Sequence, residues 1–132
     1  MKPKQTAANQ HSGITPVLTE ILVAENKHLE LFVKSFHYES ENITAKHLGR
    51  IFGFFEITNT DEDNAYIVNF LASVMKKEYF QNTKRSAAES FEAALHKVNL
   101  ALTELVKQGN AAWLGSLEAT IAVLEENTLH FS

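Results

Sequence analysis

Cysteine is absent from this 132-residue chain. That excludes disulfides, thiolate metal sites and a cysteine nucleophile, and a reducing cytoplasm is the simplest expected compartment. Cationic charge is scarce. Twelve Lys and Arg stand against sixteen Asp and Glu, for a net charge of −4 and a pI near 5.8. No basic field exists to attract nucleic acid, and no Lys/Arg stripe suits an anionic membrane surface. No run approaches the roughly 18 apolar residues of a membrane span. The opening residues, Met1-Lys2-Pro3-Lys4-Gln5, lead into polar sequence rather than an apolar core, so no signal peptide is expected. Glycine-rich phosphate loops are missing, and Ser116 follows Gly115 without completing a Gly-x-Ser-x-Gly elbow.

What the chain does have is a supply of core. Hydrophobic residues make up 45%, and nine Phe stand against three Tyr and one Trp. Phe packs without needing a hydrogen-bond partner. A chain of this length fits one domain and buries roughly two-thirds of its unfolded surface. Residues 1–14 hold little to bury and read as a flexible N-terminal tail, with a single α+β domain over 15–132.

Alternation of apolar residues predicts strands over 17–24, 29–38 and 48–57. The first of these also admits a short helix. In the second, Leu29, Leu31 and Val33 share one face and Phe32, Phe36 and Tyr38 the other. In the third, Phe52 and Phe54 oppose Ile51, Phe55 and Ile57. Strands apolar on both faces belong inside a layered sandwich. Gly49 and Gly53 predict a bulge or a close backbone approach. Glu25–His28 and Ser40-Glu41-Asn42 read as turns.

Two helices follow. Thr60-Asp61-Glu62-Asp63 offers capping oxygens for a helix over 64–79, with a stripe of Ile67, Phe70, Leu71, Val74 and Met75. Lys76 and Lys77 then suit the negative end of its dipole. Ser86-Ala87-Ala88-Glu89 is a capping-box pattern for a second helix that runs to about Lys107 and stops at Gly109. Its stripe is Phe91, Leu95, Val98, Leu102, Leu105 and Val106. The short linker predicts an antiparallel pair. Residues 113–124 read as a strand with Leu117, Ala119, Ile121 and Val123 on one face, turned by Glu125-Glu126-Asn127 into a short return strand. That sheet is expected to be completed by further chain or by a partner.

Chemistry is sparse. The six His, at positions 11, 28, 37, 47, 96 and 130, have no i, i+3 or i, i+4 partner among them and no His-Glu-x-x-His run. Asp61-Glu62-Asp63 carries oxygens for a hard cation but lacks the glycine and spacing of a calcium loop, so capping explains it better. Trp113 reads as an anchor under the hairpin rather than a ligand stacker. No catalytic, cofactor-binding or metal-binding residue is assigned.

Four segments in order resemble the first half of the metal-dependent serine/threonine phosphatases of the PPM type. They are Leu48-Gly-Arg-Ile-Phe-Gly-Phe-Phe-Glu56, then Ala65 to Met75, then Phe91 to Leu102, then Gly115-Ser-Leu-Glu-Ala-Thr-Ile-Ala-Val-Leu124. The resemblance covers roughly residues 29–132. It implies a layered β-sandwich with an antiparallel helix pair. It also implies an Asp at the end of the first strand region and an Asp-Gly after the next strand. Asn42 stands near the first position, and Glu56-Ile57 at the second. Two ions about 4 Å apart need several anionic oxygens, and one carboxylate does not supply them. The expectation is a non-catalytic phosphatase-like interaction or regulatory domain. It would meet a protein partner or a second copy through a sheet edge or helix face, with no nucleic acid or membrane. The alternatives are a divergent phosphatase holding one Mg²⁺ or Mn²⁺ through Glu56 with residues outside this chain, and an unrelated α+β sandwich of structural role.

Overall fold

The computed structural model describes residues 31–58 and 64–132. The expected tail, the run 17–24 and the capping residues 60–63 lie outside them. Four strands form one antiparallel sheet in chain order: β1 (Leu31–Glu39), β2 (Arg50–Thr58), β3 (Leu117–Glu125) and β4 (Thr128–Phe131). Two helices, α1 (Tyr66–Gln81) and α2 (Ala87–Lys107), join β2 to β3 and pack against one face. The fold is α+β, as the sequence predicts. Among the described residues it has two layers, a sheet and a helix pair.

Side-chain alternation decides which residues form the core. The register sets Phe36 against Gly53 and Gly53 against Ile121, so these three face the same way. Phe32, Tyr38, Ile51, Phe55, Ile57, Leu117 and Val123 share that inner face. Ile51, Ile57 and Val123 are fully buried there, and Phe55 nearly so. Gly53 contributes no side chain to that face, and the aromatics beside it stack on one another. Phe36 stacks on Phe55 at 5.7 Å and on Tyr38 at 5.8 Å between ring centres. The close approach expected at the glycines is present. A Cβ on Gly53 would overlap the Thr120 carbonyl oxygen, and one on Gly49 that of Leu124. Gly49 also has φ +66°, a conformation that glycine adopts at little cost.

Helix α2 begins as its sequence says. The Ser86 hydroxyl accepts from the Glu89 amide at 3.2 Å, and the Glu89 carboxylate accepts from the Ser86 amide at 2.8 Å. Two of the helix's orphan donors are satisfied reciprocally. Ala87, Ser90, Phe91, Ala94 and Val98 face α1, where Val68, Leu71, Ala72 and Met75 meet them in the core. The small residues on both helices let the backbones approach closely.

Four expectations need correction. Phe70 is 39% exposed and Val106 38%, while Val68, Ala72 and Tyr79 are buried in the helix core instead. Helix α1 extends to Gln81, so Lys76 and Lys77 do not lie in its last turn and have no dipole role there. The turn around Asn42 is the cap of a 3-10 helix (Ile43–Leu48), in which the Asn42 Oδ1 accepts from the Thr44 amide at 3.1 Å. Strand β3 starts at Leu117 rather than at 113. Gly115, at φ +82°, lies in a run of turns that precedes it. Trp113 is buried in that run and donates its indole N–H to the Asn110 carbonyl at 2.9 Å, so it is an anchor.

A buried polar tie links α1 to the residue before Gly49. The fully buried Tyr79 on α1 donates its hydroxyl to the Leu48 carbonyl. Burial, with a smaller contribution from the Glu125 carboxylate, holds that phenol well above its ordinary range.

Candidate interaction face

The second face of the sheet has no described element packed on it, and its composition is unusual for that position. An antiparallel sheet with one wet face alternates apolar-in and polar-out. Here the outward positions of β2 are Arg50, Phe52, Phe54, Glu56 and Thr58. Phe52 lies opposite His37 and Ala122, and Phe54 opposite Ser35 and Thr120. On β3 and β4, Ala122 faces Phe131 and Leu124 faces Leu129. An apolar band therefore crosses the sheet from Phe54 through Phe52, Ala122 and Leu124 to Leu129 and Phe131. Phe54 is 36% exposed, Leu129 53% and Phe131 77%.

Charge brackets the band. At one end of β2 the Arg50 guanidinium pairs with Glu39 at 3.2 Å. At the other, Glu56 lies opposite Glu118, two carboxylates on the same face with no Lys or Arg at the paired positions. Like charges set directly opposite one another destabilise a strand pair slightly. The neighbour Glu118 is a feature sequence reasoning missed. The signal was present in the run 117–124, because any register that buries Ile121 and Val123 against Ile51 sends Glu118 to the side of Glu56.

The two positions matched to the phosphatase metal site do not come together. Asn42 follows β1 at the Arg50 end of β2, whereas Glu56 sits six residues further along the strand. At about 3.3 Å per residue that is roughly 20 Å, far beyond the separation of two bridged ions. The Asn42 side chain is occupied in capping; it accepts from the Thr44 hydroxyl as well, at 2.9 Å. Ile57 is not in a loop that bends around an ion. It continues β2 in register with Phe32 and Leu117, and its side chain is fully buried. Among the described residues no three His, Asp or Glu side chains converge. His47 bonds the Arg85 carbonyl at 2.9 Å, and His130 pairs with Glu125 at 3.4 Å across the β3–β4 hairpin. His37 and His96 are exposed.

On the helices, most of each apolar stripe packs into the core against the inner face of the sheet, while Tyr66, Phe70, Leu100 and Val106 stay exposed. No helix among the described residues is long and apolar enough to cross a membrane. Comparison with protein-family models, with curated proteins and with solved structures returns no match.

Proposed function

We propose that this chain is a non-catalytic, phosphatase-like interaction domain of a reducing cytoplasm, whose contact surface is the outer face of the sheet. One observation carries the reading: that face presents Phe54, Phe52, Leu129 and Phe131 where a solvated sheet presents polar residues. An apolar sheet face is stabilised by a second sheet packed about 10 Å away, as in a sandwich. The regular strand through Glu56 and Ile57, and the separation of Asn42 from Glu56, support the absence of a two-ion centre.

The alternative, a divergent Mg²⁺- or Mn²⁺-dependent phosphatase, is favoured only by the adjacency of Glu56 and Glu118. Two measurements separate the readings. Sedimentation velocity of the full chain across a range of concentrations should show association that Phe54→Asp or Phe131→Asp abolishes, with circular dichroism unchanged. A monomer that binds no hydrophobic dye would mean the face is already covered within the chain, and the interaction reading would fail. A thermal melt with and without Mn²⁺ should show no shift. A rise equivalent to about 2.7 kcal/mol at a hundredfold excess over Kd, lost in Glu56→Gln, would restore the phosphatase.

A further inference from the structure

A groove of about 340 Å³ opens on the opposite side of the sheet from the apolar band, between β1 and α1, lined by Tyr38, Ser73, Lys76, Lys77 and Phe80. Four of these residues stand at i, i+3, i+4 and i+7 on α1, so they form one stripe along the helix. Tyr38 completes the wall from β1. The lining holds two ammonium groups, a hydroxyl and two aromatic rings, and no carboxylate. On a chain of net charge −4 this is a local reversal of sign.

The walls are held in place from behind. Tyr38 stacks on the buried Phe36 at 5.8 Å between ring centres. Phe80 meets the buried Tyr79 edge to face at 4.8 Å. The Lys76 ammonium lies 4.3 Å from the centre of the Tyr38 ring, a cation–π contact that keeps one charge at the mouth of the groove. Neither Lys76 nor Lys77 forms an ion pair among the described residues. A ligand therefore meets two rings and one cation already positioned, so it loses less freedom in ordering them.

We infer that this groove binds a small anion carried on a flat apolar ring, an aromatic phosphate or carboxylate. The ring would lie against Phe80, and the anionic oxygens would reach Lys77, the Ser73 hydroxyl and the Lys76 ammonium held over Tyr38. The volume is at the low end of small-molecule sites, which suits a single ring with one charged substituent. Inorganic phosphate satisfies the lysines but leaves the rings unused.

The test is an amide chemical-shift titration of the full chain with phenyl phosphate, benzoate and inorganic phosphate. Phenyl phosphate should give saturable shifts at Ser73, Lys76, Lys77 and Phe80, and should bind at least about tenfold more tightly than inorganic phosphate, because stacking and cation–π contacts add to the charge. Benzoate at comparable strength would support both anions of the proposed class; benzoate that fails while phenyl phosphate binds would restrict it to phosphates. Lys77 is exposed and makes no core contact, so Lys77→Ala should leave the fold intact and weaken phenyl phosphate about tenfold, roughly one charge-assisted hydrogen bond. Phe80→Leu should remove the preference for the ring. Equal, weak binding of all three probes, the absence of saturable shifts at these residues, or indifference to Lys77→Ala would each overturn the proposal.

Discussion

The two faces of the sheet draw on similar apolar residues and use them in opposite ways. On β2, Phe55 and Phe54 are neighbours in sequence and identical in chemistry. Phe55 points into the helix layer and is nearly inaccessible, whereas Phe54 points outward and keeps 36% of its surface in water. The difference lies in parity alone, because successive side chains of a strand leave on opposite sides. Residue type therefore says little about role here. Among the described residues, the inner face packs against the helices and the outer one has no element packed on it.

The largest effect should come from removing the inner member of that pair. Phe55→Ala should cost about 3–5 kcal/mol in urea denaturation, the range for a fully buried Phe. Phe54→Ser should change stability by less than about 0.5 kcal/mol, as expected of a position away from the core, yet weaken association. Equal effects on stability would mean the outer face is also core, and the comparison would collapse.

Next in size is Gly53, the one inner position without a side chain. Gly53→Ala sets a methyl against the Thr120 carbonyl of β3. It should cost about 1–3 kcal/mol, the range for a strained backbone site. A neutral result would show that β2 and β3 separate easily.

The smallest effect is one of pH. The folded-state pKa of Tyr79 is raised above its unfolded value of 10.0. Its contribution is therefore complete below pH 10 and is lost as pH rises beyond it, because only the unfolded chain releases the proton. Stability should fall by at most about 1.4 kcal/mol per pH unit above pH 10. Tyr79→Phe should flatten that slope while lowering stability at neutral pH by about 1 kcal/mol, since the Leu48 carbonyl loses its donor. An unchanged slope would place the titrating group elsewhere.

Much of the fold was legible because its signals are local. The capping box at Ser86 and the alternation in β1 and β2 each act within a few residues, and each matches the structure. Boundaries were harder. The start of β3 was misplaced because Trp113 and Leu114 read as strand residues, whereas Gly115, at φ +82°, and Ser116 belong to the turns before it. The helix stripes were partly misassigned because 3.6-residue periodicity gives a direction but not the breadth of the buried arc; Phe70 and Val68 differ by less than a turn, yet only Val68 is covered. The candidate face was the least legible part. At the centre of β2 the outer Phe52 and Phe54 are as apolar as the inner Phe55, and only Arg50 and Glu56 at its ends mark the outer set in the sequence. The same holds for Glu56 beside Glu118 and for the groove at Tyr38, which depend on pairing across the whole chain.

The chain-order sheet also bears on how quickly the molecule assembles. β1 with β2, α1 with α2, and β3 with β4 are each formed from neighbouring stretches of sequence. The β2–β3 ladder is different: Ile51 pairs with Val123, about 70 residues away. Closing that distance carries the largest loop entropy among the described contacts. The two hairpins and the helix pair can form early, and the zipping of β2 onto β3 over the finished helices is the step expected to set the folding rate.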